Sequence, residues 1–176
     1  MNSRQGQALI ESCIVIGLLC LVLMGVFQWS QAYMTQEILS HAAARAARCQ
    51  AVGFNEYMVM KTWRIGTIAT AGRLVQPPYA GGPAAQYTLE RSRIPLYLAA
   101  EWASHLDAIL DYSRWDDIQG YGGDPAASVT RYTVSQTLPL NTIFSNVCRA
   151  FYAGDSIPIQ GVAHMDNHYP LYLEAP

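Results

Sequence analysis

Charge is what this chain lacks most. Only 14% of its 176 residues are charged, where an ordinary soluble domain carries roughly a quarter. The 13 acidic residues outnumber the 11 basic ones, and a single one of those 11, Lys61, is a lysine. Neutralising nucleic-acid phosphates takes a basic excess, so no nucleic-acid partner is expected. Chemistry-bearing motifs are scarce too. The four cysteines show no CxxC spacing of the kind that grips zinc. The glycine clusters lack the GxGxxG or GxxxxGK[ST] order that cradles phosphate, and no Gly-x-Ser-x-Gly elbow presents a nucleophile. No cofactor is therefore expected, and none of these motifs points to an enzyme. With 51% hydrophobic residues disorder is excluded as well, and the length fits one moderate domain, or one helix and a smaller domain.

What is present is a concentrated apolar run. From Cys13 to Phe27 no side chain is polar, and the stretch back to Ala8 is broken only by Glu11 and Ser12. Twenty helical residues at ~1.5 Å each span about 30 Å, the hydrocarbon thickness of a bilayer. Arg4 lies on the short side of the run, and the next basic residue after it is Arg45. The positive-inside rule then leaves the N-terminus in the cytoplasm and the remainder outside, a single pass through residues of about 8–28. Trp29 and Tyr33, one helical turn apart, suit the outer interface. Two alternatives compete with a membrane span. A buried core helix would show an apolar stripe, whereas this run is apolar all round. A cleaved signal peptide, with Ser30-Gln31-Ala32 before the cut, leaves Glu11 at the membrane entry without a role.

Glu11 is the informative residue. A carboxylate at the centre of a membrane helix costs about 2.5 to 3.5 kcal/mol, and less near the end, so it normally has a partner and a purpose. Gly6 precedes Gln7-Ala8-Leu9-Ile10-Glu11, and a cut after Gly6 makes the glutamate the fifth residue of the mature chain. This spacing resembles the processing site of type IV pilin-like proteins, where a prepilin peptidase removes a short leader after glycine. The longer stretch from Arg4 to Gly53, with its Gln-Ala-x-x-Glu start, apolar helix and Ala/Arg-rich continuation ending in Ala-Val-Gly, is similar to the TadE-like minor pseudopilins of tight-adherence (Tad) pilus and secretion systems. The resemblance implies that Gly6 and Gln7 flank the scissile bond. It also implies that Glu11 pairs with the N-terminal amine of a neighbouring subunit during membrane extraction or packing, which would offset the burial cost of both charges. The leader is short, with one arginine, and Ser12 stands where an aromatic often follows the glutamate.

Between Trp29 and Val52 there is neither proline nor glycine, and alanine, the best helix former, abounds. Leu39, Ala42, Ala43, Ala46 and Cys49 share one face at helical spacing, with His41, Arg45 and Arg48 on another. One long helix is predicted, capped by Gly53. Loop clusters at 76–83 and 120–125 divide the rest of the chain. Residues 55–75 lean to helix. Residues 90–112 show helical spacing of Leu98, Trp102, Leu106 and Leu110, with Pro95 tolerable only in the first turn. Residues 129–140 alternate and are rich in β-branched side chains, a strand, with a second extended piece at 168–173 beside it. The predicted class is α+β, a long N-terminal helix packed on a small antiparallel sheet as in type IV pilins. The predicted organisation is a leader at 1–6, the helix at 7–53 and an extracytoplasmic domain at 54–176.

Two further clusters bear on function. Cys13 and Cys20 read as packing residues of the apolar helix, while Cys49 and Cys148, in an oxidising compartment, are candidates for a disulfide. His164, Asp166 and His168 would share one face if they lay on a strand, and two imidazoles with a carboxylate suit Zn²⁺. The spacing matches no zinc-protease motif and no general-base glutamate lies in the run, so a polar loop is the expected structure. The expected function is a structural, non-enzymatic subunit of a pilus or secretion filament. Its partners are the inner membrane, a prepilin peptidase and other pilin-like subunits. The alternative is a membrane-anchored extracytoplasmic enzyme or metal-binding module built on His164, Asp166 and His168.

Overall fold

The structure, a computed structural model, describes residues 3–76, 83–100, 110–115, 118–121, 129–140, 146 and 156–166. They fall into two compact units. One holds 3–34 together with 138–140, 146 and 156–157, and the other holds the rest. The class is α+β, as the sequence predicts: helices α1 (Ser3–Ala51), α2 (Glu56–Gly66), α3 (Ile68–Ala71) and α4 (Pro83–Ala99) come first, with one short strand between α3 and α4 and the remaining described strands after α4.

In the first unit, the apolar part of α1 leaves its side chains exposed on every side. Ile14, Val15, Ile16, Leu18 and Leu19 are all more than half exposed, so no stripe is selected for burial. Such a helix is stable only in a medium as apolar as itself.

In the second unit, the same helix changes character. Leu39, Ala42, Ala43, Ala46 and Ala47 are buried, while His41, Arg45 and Arg48 are not, which reproduces the two faces drawn from the sequence. Small residues on the buried face admit close neighbours. A β-carbon added to Gly66, at the end of α2, would lie 2.9 Å from Ala42 Cβ, and one added to Gly161 would overlap the backbone of Leu39 and Ser40. Helix α1 ends in a Schellman motif. The amide of Gly53, at φ 88°, donates to Gln50 O at 2.9 Å and that of Phe54 to Cys49 O at 3.1 Å. A side chain at Gly53 would be strained in this left-handed conformation, which is why glycine ends the helix.

Asn55 then starts α2 at once, accepting the Met58 amide on its side chain at 2.9 Å, a cap worth about 1 kcal/mol. From α2, Val59, Lys61 and Trp63 point inward.

The described strands form two small sheets. β1 (Leu74–Gln76) pairs antiparallel with β2 (Asp111–Tyr112), Leu74 facing Tyr112. The other sheet has the order β3 (Gln119–Tyr121), β4 (Val129–Pro139), β5 (Ser156–Asp166). β3 and β4 are antiparallel, Gly120 opposite Val134. β4 buries Thr130, Tyr132, Val134 and Gln136 and turns Val129 and Arg131 outward, the alternation expected of a half-buried strand. β5 is an outer strand of this sheet, and there Pro158, which has no amide hydrogen to give to a ladder, is tolerated.

Two expectations need correction. The helix placed at 90–112 begins at Pro83 and ends at Ala99, and residues 111–112 are strand. Pro95 therefore lies in the helix interior, not the first turn; α4 gives up the Arg91 carbonyl's partner there. The extended piece expected at 168–173 lies outside the described residues; the described strand beside β4 is β5, which begins at Ser156. The leaning to helix over 55–75 holds for α2 and α3 and fails at β1.

Candidate functional site

Gly6, Gln7 and Glu11 all lie on the first turns of α1. Gln7 and Glu11 are exposed and share a face at four-residue spacing, with Gln7 Nε2 3.4 Å from Glu11 Oε1, a long contact. Nothing lies within 4 Å of a β-carbon built on Gly6, so the space beside its Cα is open. Ser12, the departure from the expected aromatic, turns its hydroxyl back to Ala8 O at 2.9 Å. That bond satisfies the hydroxyl within the helix, so a serine is tolerated at the edge of an apolar segment.

Behind this polar end the exposed apolar surface runs from Leu9 to Phe27, and Trp29 and Tyr33 follow it at 75% and 61% exposure. Among the described residues one helix, Gly6–Ala51, is long and apolar enough to cross a membrane, and none of its apolar window is buried. A core helix would be covered, and this one is bare. Cys13 and Cys20 are exposed free thiols on it.

The remaining candidates lie only in part among the described residues. Cys49 is a half-buried free thiol with Sγ 3.4 Å from Thr62 Oγ1, and Cys148 lies outside the described residues. His164 and Asp166 stand on β5 rather than in the expected loop, two residues apart and both exposed, while His168 lies outside the described residues. Among the described residues no group of three or more His, Cys, Asp or Glu is arranged to hold a metal ion.

The second unit holds polar contacts that sequence reasoning missed. Lys61, the chain's one lysine, is 2% exposed and donates from Nζ to the carbonyls of Leu98, at 3.1 Å, and Ala100. It thus caps the C-terminal end of α4, where a cation suits the helix dipole. The rings of Tyr57 and Tyr97 flank the ammonium at 5.1 and 5.9 Å, and burial pushes its pKa below the usual lysine value. Tyr112 donates its hydroxyl to Glu90 Oε1 at 2.7 Å, and Gln86 Nε2 donates to the same oxygen at 2.8 Å. Burial, then the Glu90 carboxylate, raises the Tyr112 phenol far above its usual range. Arg64 stacks over Trp115 at 4.3 Å. These contacts tie α2, α4 and the strands together, so their part is structural. A lone lysine in a charge-poor chain was the one available signal.

One of three comparisons with known proteins falls on α1. No curated protein and no solved structure matches the chain. Residues 6–48 match the family described as TadE-like protein, and α1 is thus the part of this chain that carries the TadE-like signature.

Proposed function

We propose that the chain is a membrane-inserted, pilin-like subunit of a Tad pilus or secretion filament. The supporting observation is the all-round exposure of the apolar helix within the TadE-like segment. A helix apolar on every face is at home in a bilayer or in the core of a helical filament, and a subunit of such an assembly occupies both in turn. The chain is a structural component rather than an enzyme, and it sits in the cytoplasmic membrane with Arg4 inside and residues 54–176 outside. A prepilin peptidase removes residues 1–6, exposing Gln7. Glu11, four residues on, then meets the α-amine of an adjacent subunit in the apolar layer, where an unpaired carboxylate is costly. Outside the membrane, the Cys49 thiol, free in this structure, is oxidised with that of Cys148 to a disulfide in the mature protein; thiol alkylation before and after reduction checks this.

The intact mass of the mature chain tests the cleavage step. A chain beginning at Gln7 supports it. A chain beginning at Tyr33 makes the apolar run a signal peptide, and an intact Met1 leaves a plain anchor; either overturns processing after Gly6.

A further inference from the structure

The N-terminus that cleavage would create has chemistry of its own. In the uncut chain Gln7 is the fifth residue of α1, so a cut after Gly6 removes the turn that its amide would bond to and leaves four orphan N–H groups at the new end. The Gln7 side chain is exposed, and among the described residues its carboxamide makes a long contact to Glu11. An α-amine and a side-chain carboxamide then belong to the same residue, with a five-membered ring between them. Intramolecular attack in such a geometry gains the large effective concentration of a pre-positioned pair.

We propose that Gln7 is a modification site: once freed by cleavage, it closes on itself to a pyroglutamyl lactam. This rests on the cleavage proposed above. The lone pair of the Gln7 α-nitrogen attacks Cδ, the bond from that nitrogen to Cδ forms, and the bond from Cδ to Nε2 breaks. A proton passes from the α-nitrogen to Nε2, and ammonia leaves. Nothing is oxidised or reduced. The attacking amine must be neutral, and an α-amine with a pKa of about 8 is neutral in a fraction on the order of a tenth near pH 7. Desolvation at the edge of an apolar layer favours the neutral form further.

The lactam has a consequence for assembly. It erases the cation that Glu11 would pair with, while an ammonium already paired with a carboxylate keeps its proton and cannot attack. A freshly cut subunit that meets a neighbour is thereby preserved, and one that waits loses the charge.

The experiment uses the full-length chain, co-expressed with a Tad-system prepilin peptidase, purified in detergent and held at neutral pH. Two readouts are taken: intact mass, and labelling by an amine-reactive ester under native conditions. Because Lys61 is buried, the α-amine is the accessible amine of the folded chain. The expected product is residues 7–176 lighter by one ammonia and unlabelled, with Ala8 exposed after treatment with pyroglutamyl aminopeptidase. The Gln7→Ala chain should keep its full mass and take one label. A wild-type chain that begins at Gln7, retains its ammonia and takes the label overturns the inference and leaves the cleavage standing. A chain beginning at Met1 overturns both. Equal ammonia loss from the Gln7→Ala chain overturns the assignment to Gln7.

Discussion

Gly161 on β5 lies so close to Leu39 on α1 that a β-carbon on the glycine would overlap the leucine's backbone. The missing side chain of Gly161 makes this possible, because it lets the strand reach the helix backbone itself. Overfilling such a contact typically costs about 1 to 3 kcal/mol, and a backbone atom yields less readily than a side chain. Gly161→Ala is therefore expected at the upper end of that range, with a lowered melting temperature in detergent. Gly17→Ala serves as the control. Nothing lies within 4 Å of its β-carbon, and alanine is the better helix former by about 1 kcal/mol, so this change should leave the melting temperature unchanged or raise it. Equal losses from the two would refute the close contact.

Lys61 gives a pH dependence whose sign follows from its surroundings. Burial lowers its pKa in the folded chain, so between that lowered value and the ordinary lysine value the unfolded chain binds more protons. Stability should then rise with pH across this window, because the folded chain is relieved of a buried charge that the unfolded chain still carries. Lys61→Met should abolish the rise. At neutral pH the same variant leaves the Leu98 and Ala100 carbonyls without their donor, at a cost of about 1 to 3 kcal/mol. Denaturant titrations at a series of alkaline pH values separate the two effects.

The buried tyrosines act in the opposite direction and at higher pH. Burial, helped by the Glu56 carboxylate, raises the Tyr132 phenol to about 12, and Tyr112 rises further against Glu90. A folded pKa above the unfolded value means that the stabilisation is fully present below pH ~10 and is lost as pH climbs through the folded value. Phenolate absorbance should show these two ionising only as the chain unfolds. Tyr132→Phe should move the alkaline unfolding midpoint upward; an unmoved midpoint would mean that Tyr132 ionises without strain.

How far these features could be read in advance depended on whether one element carried its own pattern. The two faces of α1, its glycine cap and the alternation of 129–140 were legible because period and burial coincide within each segment. β5 was not. Its more covered positions are Ile159, Gly161, Ala163 and Met165, but Pro158 and Gly161 interrupt the apolar signal, and the glycine is there for α1, far away in sequence. Pro95 misled because interior proline is disfavoured locally, whereas α4 holds Pro95 between residues that other elements fix: Glu90 bonded to Tyr112, and the helix end bonded to Lys61. At the candidate site, Gly6, Gln7 and Glu11 were singled out by local spacing, and the structure places all three on the first turns of α1. The buried Lys61 was not, since its partners are carbonyls at the end of another helix.

Glu11 allows charge to be separated from shape. Glu11→Gln keeps the side chain's length and its place beside Gln7, and it removes a group whose burial at a membrane-helix centre costs about 2.5 to 3.5 kcal/mol. If the carboxylate were merely tolerated, the glutamine chain would insert at least as well and assemble at least as well. If it pairs with a neighbour's amine, insertion should hold or improve while assembly fails, because the amine then enters the apolar layer without a counter-charge. Membrane fractionation reads the first quantity and the yield of sheared surface filaments reads the second, in a strain whose own copy is replaced. Glu11→Asp restores the charge on a shorter arm and should recover part of the yield. Normal filament yield from Glu11→Gln would remove the pairing role and leave Glu11 as a polar residue near the start of a membrane anchor.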